Sequence, residues 1–145
     1  GGSIYALGLK PDGSPWRTGI RDPRDVDKII AVLEVRDAAV VSSGDYERYF
    51  IRDGVRYHHI LDPVTGQPAR KLISSTIVAP QATDADLLST AIFVLGSSEG
   101  KKLIEEMPNT SAVLVDASGV INCSTELAEQ IEFIEDTGYK VLGNI

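Results

Sequence analysis

Two histidines stand side by side in Tyr57-His58-His59-Ile60-Leu61-Asp62-Pro63-Val64-Thr65-Gly66, and the chain has no others. An imidazole titrates near neutral pH and can take a proton from an attacking hydroxyl, so this stretch is the first candidate for acid–base chemistry. On an extended strand neighbouring side chains point to opposite faces, so only one of His58 and His59 can face a given site. Adjacent histidines are also the wrong geometry for a two-histidine, one-carboxylate iron centre. Asp62 has two readings. It is a turn former, with Pro63 presetting φ and Gly66 supplying a positive φ, or it is a carboxylate beside a ligand.

Asp86 and Thr90 form the second candidate. At i and i+4 they share one helix face, and a carboxylate with a hydroxyl suits a hard cation such as Mg²⁺. The competing reading is local: Thr83 to Asp86 has the spacing of a capping box, and Thr90 can return its hydroxyl to the carbonyl of Asp86. Leu87, Leu88, Ala91, Ile92 and Leu95 make the segment apolar nearly all round, which predicts a buried helix. A polar pair on such a helix needs a partner. A third candidate is the corner Ser42-Ser43-Gly44-Asp45-Tyr46-Glu47, whose small residues can bring backbone N–H groups to a phosphate. Gly1 and Gly2 either permit close backbone approach to a ligand or belong to an expression scar.

The elements that position these residues follow from pattern. Ile4 to Leu9 reads as a strand, and Trp16 to Arg21 alternates as a half-buried strand does. Ile29 to Val35 and Ala38 to Val41 read as an antiparallel pair joined at Arg36-Asp37. Phe50 to Tyr57 is a hairpin with Asp53-Gly54 at its tip. Ser74 to Ala79 is a β-branched strand ending at Pro80. The period then changes: Ala85 to Leu95 and Glu99 to Met107 are helices separated by Gly96-Ser97-Ser98. Ala112 to Val115 and Val120 to Cys123 flank a turn as a second hairpin, and Ser124-Thr125-Glu126 caps a short helix through Gln130, with Phe133 near a last strand. These predict an α+β fold: a mixed, mostly antiparallel sheet with a buried helix pair on one face, in one domain spanning residues 1–145.

Composition narrows the function. The chain has 145 residues, a hydrophobic fraction of 43% and a formal net charge of −7. The acidic balance argues against a broad nucleic-acid surface, while leaving room for a small basic pocket. The single cysteine, Cys123, excludes an internal disulfide and reads as a small buried hydrophobe. No run of about 18 apolar residues is present.

Taken in order, GGSIYALG, PDGSPWRTGIRDPRD, VSSGDYERYF, YHHILDPVTG and ATDADLLSTAIFVLG resemble the ApbE family from residue 1 to about 125. The resemblance implies an FAD:protein FMN transferase. In that chemistry a threonine hydroxyl of a target flavoprotein subunit attacks the FMN-side phosphorus of FAD, with Mg²⁺ as cofactor and AMP as leaving group. It implies that Asp86 and Thr90 are metal ligands, and that His59 is the base or hydroxyl positioner with His58 as its outward neighbour. Gly1, Gly2, Ser43, Gly44, Asp45, His59, Asp62 and Thr65 would line the FAD pocket. Ser3 stands where the family usually has Asn or Asp. The chain resembles the C-terminal half of such a protein, so a missing N-terminal half or a partner chain is expected. A location on the periplasmic side of the bacterial inner membrane is implied by resemblance only. Two alternatives accompany this reading: a non-catalytic FAD- or nucleotide-binding module, and an FAD pyrophosphatase giving FMN and AMP.

Overall fold

The computed structural model describes residues 2–143, so the candidate Gly1 lies outside the described residues. The architecture is three-layered. A six-stranded sheet in the order β1-β4-β7-β8-β9-β11 forms the middle; its strands are β1 (Ser3–Ala6), β4 (Ala38–Gly44), β7 (Leu72–Ala79), β8 (Ser111–Asp116), β9 (Val120–Cys123) and β11 (Lys140–Gly143). Helices α1 (Ala82–Leu95) and α2 (Ser97–Glu106) cover one face. Their core joins Ala85, Leu88, Ile92 and Ile104 to Val41, Ile77 and Leu114 of the sheet. A three-stranded sheet of β2 (Trp16–Arg21), β3 (Ile29–Val35) and β10 (Ile131–Phe133) covers the other face. There Ile30, Leu33 and Val35 pack with Val40, Val78 and Val113. A separate hairpin of β5 (Tyr49–Arg52) and β6 (Val55–His58) ends at His58, with His59 immediately after it. Among the described residues no helix is long and apolar enough to cross a membrane.

The α+β class, the helix pair on one face and both hairpins agree with the sequence. Asp53 and Gly54 have φ of 50° and 75°, as a type I′ turn requires. The sheet is mixed through β11, which runs parallel to β9 and was not expected. The first strand stops at Ala6, short of Leu9, and the expected helix through Gln130 shrinks to a 3₁₀ turn at Thr125–Leu127.

The pairing of residues 29–35 with 38–41 is overturned. β3 pairs with β2 and β10, whereas β4 pairs with β1 and β7. The chain turns at Asp37, whose φ is 48° and whose carboxylate accepts from the Gly8 N–H at 2.7 Å. This corner moves β4 to the centre of the molecule. There Ala39 and Val41 face the helices while Val40 faces the second sheet. A run apolar on both faces belongs in such a strand, and local alternation cannot reveal which sheet holds it.

Two further expectations fail around α1. The helix is not buried all round: Leu87 is 65% exposed, and Asp86, Thr90 and Ala91 are exposed beside it. One face packs on the sheet, and the rest looks outward because the helices form an outer layer with nothing packed above α1 among the described residues. The Thr83 capping box does not form, since the helix begins at Ala82 after Gln81 and its first turn has no side-chain cap. Pro80 ends β7 so closely that the first helical bond, Ala85 N–H to Gln81 O, precedes the Thr83 position.

Candidate functional site

The side chains of β4 and β7 alternate between the two covered faces. Ser43 and Ser75, register partners across this pair, therefore point toward α1. Ser43 Oγ lies 2.8 Å from Ser89 Oγ and 3.2 Å from Thr90 Oγ1. The Ser89 hydroxyl donates to the Asp86 carbonyl at 2.9 Å, the bond that sequence reading had given to Thr90. Thr90 is free of that bond because it turns to Ser43 instead. The Ser75 hydroxyl is fully buried and has no hydrogen-bond partner among the described residues. These hydroxyls form a polar seam under an otherwise apolar helix.

The Asp86 carboxylate stands at the outer edge of this seam. It has no ion pair or N–H partner among the described residues, and it borders a cleft of about 540 Å³ with Ser3, Ile4, Tyr5, Val41 and Thr83. Gly2 is at the neighbouring strand end. Its carbonyl accepts from Ser42 N–H at 2.8 Å, its φ is 78°, and a Cβ there would meet the Ser42 carbonyl at 3.1 Å. Only glycine combines that φ with so close an approach. Among the described residues no three His, Cys, Asp or Glu side chains come together. A metal at this helix would therefore rest on one carboxylate and hydroxyl oxygens. That oxygen set fits Mg²⁺, which keeps several waters, and does not fit a softer ion.

The two histidines separate as alternation requires, but in the opposite sense to the expectation for His58. His58 is the inward residue, 5% exposed. Its Nε2–H donates to the Ala69 carbonyl at 2.8 Å, its Nδ1 accepts from the Ile60 N–H at 3.3 Å, and its ring stands edge-on to Phe93 of α1. Burial lowers its pKa, outweighing the hydrogen bond to Ala69, which acts the other way. The reason for the reversal is Ile60, two residues on, which enters the α1 core and carries His58 in with it. His59 is exposed, with Nδ1 3.4 Å from the Arg48 carbonyl. That contact suits a proton on Nδ1 and leaves Nε2 as an open acceptor.

Asp62 is a turn former in geometry. Its Oδ1 accepts from Val64 N–H at 2.8 Å and its carbonyl from Gly66 N–H at 2.8 Å, while the Thr65 hydroxyl accepts from Gln67 N–H at 3.3 Å. Ser43 and Gly44 sit within β4 rather than on a corner, and a Cβ at Gly44 would run into the Tyr46 ring. Asp45 follows, buried, and its two oxygens accept from Arg24 at 2.7 and 2.9 Å. These hydrogen bonds raise the Arg24 pKa above its ordinary value. The structure thus joins Ser43, Ser89 and Thr90 by hydrogen bonds with Asp86 one turn earlier on the same helix, lays the His58–Ile60 segment against α1, and commits Asp45 to an ion pair. Sequence reading missed Ser89 and Ser75, although a serine within Leu-Leu-Ser-Thr-Ala was a visible signal. It also missed Arg24, 21 residues from its partner, for which no local signal exists.

The profile of the ApbE family matches residues 1–115. A curated relative from Treponema pallidum, an FAD:protein FMN transferase, is 43% identical; the match covers 93% of this chain and 40% of the relative. A Klebsiella pneumoniae protein of the same name is 34% identical over 98% of this chain and 43% of its own length. The crystal structure of the ApbE protein from Thermotoga maritima superposes with a TM-score of 0.80 at 43% identity, covering 90% of this chain and 42% of that one. The chain thus spans about two-fifths of the length of these relatives.

Proposed function

This chain belongs to the ApbE family, and from that premise we propose that it supplies the metal helix and the proton acceptor of an FAD:protein FMN transferase. The observation that carries the reading is the exposed Asp86 carboxylate, without a partner among the described residues, near Thr90 and the Ser43–Ser89 hydroxyls at the rim of an open cleft.

In this reading Asp86 and Thr90 would hold Mg²⁺, which when bound would offset charge on the FAD pyrophosphate. Ser43 orients Thr90 through their hydrogen bond. Gly2 keeps the β1 backbone close to β4, so the cleft beside Tyr5 stays open to a flat or anionic ligand. Arg48 holds His59 by its carbonyl, and His59 Nε2 takes the proton of the acceptor threonine. The threonine oxygen then forms a bond to the FMN-side phosphorus, the bond from that phosphorus to the AMP oxygen breaks, and AMP leaves with the electron pair. Phosphoryl transfer of this kind gains mainly from positioning and charge stabilisation. Asp62 and Thr65 shape the turn that follows His59. The acceptor flavoprotein subunit and a bacterial envelope location belong to the same proposal; cell fractionation tests the location.

The test is direct. The polypeptide carrying this chain, given FAD, Mg²⁺ and an acceptor flavoprotein subunit, is expected to release AMP and add the mass of FMN to a threonine. Unchanged transfer in Asp86→Ala would overturn the metal role. A second reading, hydrolysis of FAD to FMN and AMP, is favoured by the solvent exposure of His59. AMP formed without any acceptor protein identifies it.

A further inference from the structure

On the side of His58 away from Phe93's helix core, the acidic chain gathers positive charge. Arg24, Arg56 and Arg70 line one pocket of about 250 Å³ together with Asp45, His58 and Ala69. Three guanidinium groups meet one carboxylate there, leaving two positive charges uncompensated by the pocket's own residues. His58 does not add to them, because its ring is held neutral between Ala69 O and Ile60 N–H.

Each arginine is fixed by part of its fork and leaves the rest open. Arg24 spends two nitrogens on Asp45 and the Pro23 carbonyl. The Arg56 guanidinium carbon stands over the Tyr49 ring, 3.9 Å from its centre, with Nη1 donating to the Asp45 carbonyl at 3.4 Å and lying 3.8 Å from Asp45 Oδ1. Arg70 Nη1 donates to the Arg56 carbonyl at 2.6 Å. The remaining N–H groups of Arg56 and Arg70 have no protein acceptor among the described residues. Like charges this close repel, and a planar, preset fork matches the oxygens of a carboxylate or phosphate. Asp45 is shared, paired closely with Arg24 and more distantly with Arg56 at 3.8 Å, so one carboxylate answers two guanidinium groups, and Arg70 has no carboxylate partner among the described residues. We propose that this pocket binds a compact oxyanion, with Arg56 and Arg70 as donors and the Arg24–Asp45 pair as its rigid wall.

The test is titration of the isotopically labelled chain with inorganic phosphate and, separately, with acetate, each against sodium chloride at equal ionic strength. Saturable shifts of the arginine Nε–H signals are expected with phosphate or acetate and not with chloride. The more effective anion identifies the pocket as a phosphate or a carboxylate site. Arg70→Gln, an exposed change outside the ion pair, is expected to raise Kd about tenfold or more, with Arg70→Lys intermediate. Arg56→Gln gives a second, independent variant should one fail to fold. Absence of saturable shifts with both anions, or equal Kd in Arg70→Gln and the parent chain, would overturn the proposal. Neither measurement uses flavin, so the result stands apart from the transferase reading.

Discussion

Asp45, one residue past β4, and Asp86, in the second turn of α1, are carboxylates of opposite fate. Asp45 is buried and gripped by Arg24, so its charge is consumed in holding the β4 exit against the Arg24 loop. Asp86 is exposed, unpartnered among the described residues and set at the mouth of a cleft. Removing a paired buried charge leaves its partner uncompensated and costs stability; removing an unpaired surface charge costs little stability. The contrast therefore predicts a folding role at Asp45, which the resemblance places in the FAD pocket, and a chemical one at Asp86, which it makes a metal ligand.

The largest expected effect is at Asp86. Asp86→Ala should lower FMN transfer on the order of 1,000-fold, the scale of losing one transition-state charge contact, and leave the melting temperature unchanged. A large loss of melting temperature would make Asp86 another structural carboxylate and erase the contrast. His59→Ala is expected next, with transfer lowered on the order of 100-fold, the lower end of general-base contributions. Its test includes the pH–rate profile, whose limb assigned to the base should vanish in the variant.

Asp45→Ala reverses the pattern. It leaves Arg24 and Arg56 facing an empty wall, and is expected to cost about 2 kcal/mol, less than a fully buried pair because Arg24 is 44% exposed. Calorimetry should then show a fall of roughly 4–8 °C for a domain of this size. An unchanged melting temperature would show that Asp45 is held for something other than folding.

These two carboxylates also measure what the sequence could reveal. The helix pair, both hairpins and the Asp86–Thr90 face were legible because each depends on spacing within about ten residues. The fate of Asp45 was not, because Arg24 approaches it across a loop with no periodic signal. The same limit misplaced β3 and β4: both are apolar runs, and only the left-handed Asp37 corner sends them to different sheets. The exposure of Leu87 was hidden for a related reason. An apolar helix reads as buried, yet burial depends on how many layers lie above it, and α1 has none on its outer face. The serine seam was half legible: Ser43, Ser89 and Thr90 were visible as polar residues in apolar segments, but not their convergence.

The histidines repeat the contrast at one peptide bond's separation, and His58 gives the smallest effect. Its pKa is lowered by burial, so the unfolded chain takes up a proton at His58 more readily than the folded one. As pH falls below the unfolded value of about 6.5, the unfolded state binds more protons and stability decreases. The His58 contribution is thus complete above that pH and is lost toward the lower, folded pKa. Denaturant titrations from about pH 7.5 down to 5.5 should show this decline in the parent chain and a shallower one in His58→Gln, which has no imidazole to charge. The variant should be less stable at the upper pH, because Ala69 O and Ile60 N–H lose their shared partner. An identical slope in both proteins would mean that His58 stays free to protonate when folded, and that the inward histidine is no more committed to the fold than His59.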